Sequence, residues 1–202
     1  MRWVFASVVL ILVALGVVTV FWYQEAQYLL PTPVPAGYHA VTPNEVIHFD
    51  SSAVNLPAGR SKLLHFFNPH CPCSKFNLKH FQTLRKTYAA DVDFLVVIRE
   101  AQDTAAARAL IGPEVKLVVD DHGVLAKRCG VYSTPQAAIV QADDKLYFRG
   151  NYNRSRYCTR KESNFVQMAL DSMIQHRATP HFIELATQSY GCSISQSSSL
   201  FQ

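Results

Sequence analysis

The sequence holds no internal repeat and no dinucleotide-binding fingerprint, so nothing in it points to a repeat architecture or to a nucleotide-cofactor domain. Positive charge is sparse. The net charge of +4, with histidine neutral, is small and dispersed, which gives no basis for a nucleic-acid partner. Charged residues make up only 17% of the 202 residues and hydrophobic residues 49%, which excludes a disordered or fibrous chain and leaves room for one domain with a proper core.

Charge of either sign is absent from Trp3 to Gln24, where Val-Val-Leu-Ile-Leu-Val at 8–13 forms the most apolar stretch. As a helix this segment would span roughly 33 Å, enough for the hydrocarbon core of a bilayer. Arg2 precedes it, Glu25 follows it, and Trp3, Trp22 and Tyr23 sit where interfacial aromatics belong. The run exceeds the apolar region of a secretory signal and no small-x-small cleavage site follows. The reading is an uncleaved anchor over residues 1–25: a single-pass inner (plasma) membrane protein, with the N-terminus cytoplasmic and the rest periplasmic or otherwise extracytoplasmic. Residues 26–37, with prolines at 31, 33 and 35, read as a stiff spacer. Residues 38–194 read as the folded domain, and 195–202 as a flexible tail.

Within that domain, Lys62 to Phe67 reads as a buried strand, followed by a helix with Phe76, His80, Phe81, Leu84 and Tyr88 on one face. Further strands are expected over Val92–Ile98 and Val115–Val119, with an alanine-rich helix over Gln102–Leu110 between them. Such alternation implies a parallel sheet core. A short helix from His122 to Cys129 should close at Gly130. Gln136–Gln141 and Lys145–Phe148 are spaced as a hairpin, and Glu162–His176 carries apolar residues at helical intervals. The fold class is α/β, a central mixed sheet flanked by helices and preceded by one transmembrane helix.

Chemistry concentrates at Phe66-Phe67-Asn68-Pro69-His70-Cys71-Pro72-Cys73-Ser74-Lys75, where a strand gives way to a helix. A cysteine at a helix start faces unpaired backbone N–H groups and the positive end of the helix dipole, so its thiolate is stabilised. Cys71 is the candidate nucleophile, Cys73 the candidate resolving thiol, and His70, when protonated, would add favourable charge. Five cysteines in an oxidising compartment make a disulfide expected and leave one thiol over. Cys158 and Cys192 flank the last long helix and are expected to be joined across it; alternatively one of them resolves Cys71. Cys129 would then be unpaired, a buried small hydrophobe or a neighbour of the site.

The Cys-bearing strand-to-helix turn, the βαβ unit, and a Thr-Pro leading into a hairpin and final helix resemble the thioredoxin fold. Phe67-Asn68-Pro69-His70-Cys71-Pro72, Asp120-Asp121-His122-Gly123, Gly130-Val131-Tyr132-Ser133-Thr134-Pro135, Leu146-Tyr147-Phe148-Arg149-Gly150 and Gly191-Cys192-Ser193-Ile194 resemble its redoxin branch, relatives of the alkyl hydroperoxide reductase and thiol-specific antioxidant proteins. The resemblance runs from about His65 to Ile194. It implies that Pro135 is cis, faces Cys71, and leaves main-chain groups of Thr134 to bind a substrate segment. The sequence departs from the family's C-x-x-C pattern: Ser74 falls where the resolving thiol sits, and Cys73 comes one residue early.

The activity this implies is thiol–disulfide exchange with a redox partner protein or a small thiol or disulfide, requiring no organic cofactor. A competing reading is a copper- or zinc-binding module using Cys71, Cys73 and His70, with His65 and His80 nearby. Another is a thiol peroxidase, whose Pro-x-x-x-Thr/Ser-x-x-Cys pattern is missing before Cys71. A last one is a fold kept for interaction, its cysteines purely structural.

Overall fold

The structure, a computed structural model, describes residues 1–26, 30–49, 59–155 and 158–194. The tail expected over 195–202 lies outside the described residues, as does part of the expected spacer. Two compact units are present, the first ending at Pro31 and the second beginning at Thr32.

The first unit is built on helix α1, Arg2–Ala26. Residues 2–24 form an apolar helix long enough to cross a membrane. Two of its hydroxyls are satisfied within the helix: those of Ser7 and Thr19 donate to the carbonyls of Trp3 and Leu15 one turn back, so neither needs water.

In the second unit a five-stranded mixed sheet has the order β3-β2-β1-β5-β6. Strands β1 (Ser61–Phe66), β2 (Val92–Ile98) and β3 (Lys116–Val119) are parallel, while β5 (Gln136–Val140) runs antiparallel to β1, and β6 (Leu146–Gly150) antiparallel to β5. Helix α2 (Pro72–Tyr88) links β1 to β2; a 3₁₀ turn (Ala101–Asp103) and α3 (Thr104–Ile111) link β2 to β3. This is the thioredoxin-like arrangement that the sequence resembles. Successive side chains on a strand point to opposite faces, so β1 feeds two cores. Leu63 joins Phe81, Leu84, Val96 and Ile139 with α5 (Phe165–Ile174) on one face. Leu64 and Phe66 join Leu95, Val97, Leu125 and Ala138 on the other.

Several sequence-based expectations shift. The α2 face turns inward through Cys73, Ser74, Asn77, Phe81, Leu84 and Tyr88, a helical spacing that leaves Phe76 exposed at 45%. The last long helix begins at Phe165 rather than Glu162, because a 3₁₀ turn over Lys161–Ser163 precedes it and Asn164 leaves helical geometry at ψ 72°. The proline-rich stretch expected as a spacer contributes Thr32 to the globular unit: its N–H donates to Ser189 O at 2.8 Å, and its hydroxyl to Gly191 O at 3.0 Å.

The short helix α4 (Val124–Arg128) is held at its start by Asp120, whose carboxylate oxygens accept from Leu125 N and Ala126 N at 3.0 and 2.8 Å. Beyond α4, β4 (Ser133–Thr134) leads into the Thr134-Pro135 bond and the hairpin. After α5 the chain returns along β6 through α6 (Glu184–Thr187). Asn151 fastens that return, its backbone N–H donating to Ala186 O and its side chain to Leu185 O and Gln188 O. Gly150 permits the approach, since a Cβ there would lie 2.0 Å from Ala186 O. The returning chain ends in β7 (Cys192–Ser193), which pairs antiparallel with β4.

Candidate active site

Cys71 is the N-cap residue of α2, in extended geometry at φ −81° and ψ 121°, with Pro72 as the first helical residue. Proline suits that position because its missing N–H would have had no helical partner. The strand-to-helix turn thus fixes Cys71 at the positive end of a 17-residue helix.

The sulfur of Cys71 is bonded to Cys192, with a Cα–Cα distance of 6.2 Å across a sequence separation of 121 residues. This corrects the expected bridge between Cys158 and Cys192. The cause lies in the return of the chain along β6, which carries Cys192 past the last helix to the Thr134 edge. Cys158 instead packs against the α2 side of the sheet, where its Sγ is 3.2 Å from Asn77 Oδ1. Cys73, expected to resolve Cys71, is buried on the inner face of α2 and lies outside the disulfide.

The Thr134-Pro135 bond is cis, as the resemblance implies. Cys71 Sγ lies 3.6 Å from Thr134 O, so a reduced Cys71 thiol can donate there. The main chain of Thr134 is nevertheless not left open for a substrate. Thr134 pairs with Cys192 and Ser133 with Ser193, and Ile194 N donates to Tyr132 O at 3.0 Å. Gly191 makes this contact possible: it has φ +125°, and a Cβ there would stand 2.3 Å from Thr134 O. Cys71 is 2% exposed and Cys192 partly exposed.

His70, expected to tune the Cys71 thiolate, is 69% exposed on its side chain, and its Nε2 sits 3.1 Å from Asp103 Oδ1. When protonated it is largely neutralised by that carboxylate, so the favourable field at sulfur comes chiefly from the helix start.

Cys129, Cys158, His65 and His80 sit in surroundings that suppress ionisation. Burial pushes the Cys158 thiol up to about 12. Burial, reinforced by the nearby Asp120 carboxylate, also raises the wholly buried Cys129, which behaves as a small hydrophobe in the second core. His65 is fully buried, stacked on Phe81 at 4.4 Å, with Nδ1 2.8 Å from the Tyr152 hydroxyl. Burial pulls its pKa down to about 3, and burial likewise lowers that of His80. Among the described residues no group of three or more His, Cys, Asp or Glu side chains is arranged to hold a metal ion. In the disulfide form Cys71 offers no thiolate to the proposed Cys71, Cys73 and His70 metal set.

Sequence reasoning held the joining of Cys192 to Cys71 only as an alternative and gave Gly191 no role. The available signal was a glycine directly before a cysteine in a segment resembling the redoxin pattern, which marks close backbone approach at a thiol.

Among solved structures, a hypothetical protein from Sinorhizobium meliloti 1021 matches with a TM-score of 0.62 at 16% identity, covering 77% of this chain and 95% of that one. An uncharacterized conserved protein from Geobacillus kaustophilus matches at 0.55 and 23% identity, covering 68% and 77%. The thioredoxin domain of a thiol-disulfide oxidoreductase from Bacteroides vulgatus matches at 0.47 and 13% identity, covering 59% and 96%. No curated protein matches the sequence. The family model described as a domain of unknown function, DUF6436, matches residues 40–194, well over half of the sequence, and the chain belongs to that family.

Proposed function

We propose that this protein is a membrane-anchored thiol–disulfide oxidoreductase in which Cys71 and Cys192 form the exchanging pair. The observation that carries this reading is the placing of the Cys71–Cys192 disulfide at the start of α2, beside the cis Thr134-Pro135 bond. In the reduced protein, the Cys71 thiolate is stabilised by the N–H groups and dipole of the first turn of α2. It attacks one sulfur of a partner disulfide. A bond forms between Cys71 and the partner, the partner's own disulfide breaks, and its second sulfur leaves as a thiolate that takes up a proton. The Cys192 thiolate then attacks Cys71, closing the internal disulfide and releasing the partner sulfur that Cys71 had attacked. Two electrons pass from the protein to its partner; a partner dithiol running the sequence backwards restores the reduced pair.

In the reverse direction a partner thiolate attacks Cys71 and expels Cys192, and the second partner thiolate then expels Cys71, whose thiolate the start of α2 stabilises. The apolar helix over residues 2–24 supports attachment of this chemistry to a membrane, with the second unit on the extracytoplasmic side, where disulfides persist. Partners are extracytoplasmic proteins or small molecules carrying thiols or disulfides.

The test is catalysed reduction of a model protein disulfide by dithiothreitol, using the full chain in detergent. Cys71→Ser abolishes turnover, whereas Cys192→Ser stops at a mixed disulfide mapped by mass to Cys71. A bond that exchanges with nothing, and whose removal only lowers stability, would make the pair a structural staple and end this reading.

A further inference from the structure

The main-chain edge at Thr134 is taken by the protein's own residues 191–194, and the mode of occupation is that of an added β-strand carrying a cysteine into the reactive sulfur. Thr134 pairs with Cys192, Ser133 with Ser193, and Tyr132 O accepts from Ile194 N. Cys192 is disulfide-bonded to Cys71. An extended segment, paired through its backbone and linked through its cysteine to Cys71, has the composition of a mixed disulfide with a client chain. Resting on the exchange reading above, we infer that residues 191–194 are an internal copy of the client, and that the groove along Thr134 takes extended protein segments of pattern Gly-Cys-x-aliphatic.

Two features set that pattern. Before the cysteine, any side chain is refused: a Cβ at Gly191 would lie 2.3 Å from Thr134 O and 3.1 Å from Thr134 C, both backbone atoms that cannot swing aside. The φ of +125° at this position also disfavours every L side chain. Two residues after the cysteine, Ile194 packs against the core that contains Phe66, Val97 and Ala126. The cavity it lines with these residues and Thr134 has about 20 Å³ left unfilled, room for about one water. The position between, Ser193, pairs with Ser133, and the pattern names no residue type there.

The copy also governs access. Cys71 is 2% exposed with the segment in place, so a client disulfide reaches its sulfur only after residues 191–194 lift away. Reduction removes the covalent tie. The segment is then held by the β4 pairing and by Thr32, whose N–H donates to Ser189 O and whose hydroxyl donates to Gly191 O. Client and copy compete for one edge.

The experiment uses the reduced full chain carrying Cys192→Ser, in detergent, and symmetrical disulfides of short peptides. Cys71 attacks the peptide disulfide, one peptide becomes bonded to Cys71, and the other leaves as a thiol, followed by mass at Cys71. Three peptides are compared: Ala-Gly-Cys-Ser-Ile, Ala-Val-Cys-Ser-Ile and Ala-Gly-Cys-Ser-Asn, with hydroxyethyl disulfide as a backbone-free control. The glycine–isoleucine peptide reacts fastest, the valine peptide at least about tenfold more slowly and the asparagine peptide several-fold more slowly. Rates for the three peptides within twofold of one another overturn the inference while leaving the exchange reading intact. Failure of hydroxyethyl disulfide to react at Cys71 overturns the exchange reading itself. Should the variant fail to fold, the same ranking is read from the reduced wild-type chain as the rate at which each peptide disulfide, at equal concentration, converts Cys71 and Cys192 to the internal disulfide, with the same outcomes deciding.

Discussion

Replacing Gly191 with alanine tests how tightly the disulfide depends on the backbone contact at Thr134. The new Cβ would meet Thr134 O at 2.3 Å, so the 191–194 segment must shift outward, and a backbone at φ +125° must carry a side chain. The conformational strain costs about 1–3 kcal/mol, and weakening the β4 pairing adds about 1 kcal/mol for each hydrogen bond lost. A total of about 2–4 kcal/mol falls on the oxidised, docked form and is relieved when reduction frees the segment. At about 30 mV for each 1.4 kcal/mol in a two-electron couple, the Cys71–Cys192 pair becomes more oxidising by roughly 40–90 mV. The assay is equilibration of wild type and Gly191→Ala with graded dithiothreitol, followed by alkylation and mass mapping of Cys71 and Cys192. A variant whose midpoint stays within 10 mV of wild type would refute the reasoning, because the glycine contact would then contribute equally to both redox states.

Cys73→Ala leaves the midpoint of the pair and its turnover close to wild type, while removal of a buried sulfur lowers unfolding free energy by about 1 kcal/mol; loss of exchange in this variant would return the resolving role to Cys73. Acid sensitivity should come in part from His65. Its folded pKa of about 3 lies below the unfolded 6.5, so the unfolded chain binds the extra proton first as pH falls. The stability this residue provides is fully present above pH 6.5 and is lost progressively between 6.5 and 3. Between pH 7 and 5 that loss is about 2 kcal/mol, read by urea unfolding, and it is absent in His65→Gln; an equal loss in the variant contradicts the assignment.

Much of the fold was legible because local pattern and tertiary burial agree. The run Val92–Ile98 is apolar and β-branched, and it forms a strand with those same bounds, parallel to β1 and β3. The turn into α2 was equally readable, since a proline after Cys71 marks the first helical residue. The cis bond at Pro135 could be reached only through the family resemblance, because Thr-Pro by itself is ordinarily trans. The disulfide was legible only as the less favoured alternative. Cys158 and Cys192 flank the same helix, and sequence order gives no hint that Asn151 and Gly150 draw the chain back along β6. That long-range path moves Cys192 to Thr134 and leaves Cys158 against Asn77. Phe76 was misplaced for a simpler reason: one helical position of phase error exchanges an apolar Phe76 for a buried Asn77, and hydrophobicity alone selects the wrong one.

The structure also reframes the atypical C-x-C motif. Its second cysteine packs inward with Asn77 and Phe81 on α2, as a small hydrophobe would. On the proposed exchange reading, the resolving thiol is a residue 121 positions away, delivered by a strand that covers the same edge a client would use. Exchange and uncovering of the site then become a single event.

The most direct measurement is a redox titration of the full-length wild-type chain in detergent against glutathione and dithiothreitol, with mass mapping of every cysteine at each potential. The account predicts one reversible two-electron transition confined to Cys71 and Cys192, with Cys129 and Cys158 remaining thiols throughout. A disulfide that joins Cys71 to Cys73, or a Cys71–Cys192 bond that no reductant opens in the folded protein, would contradict it.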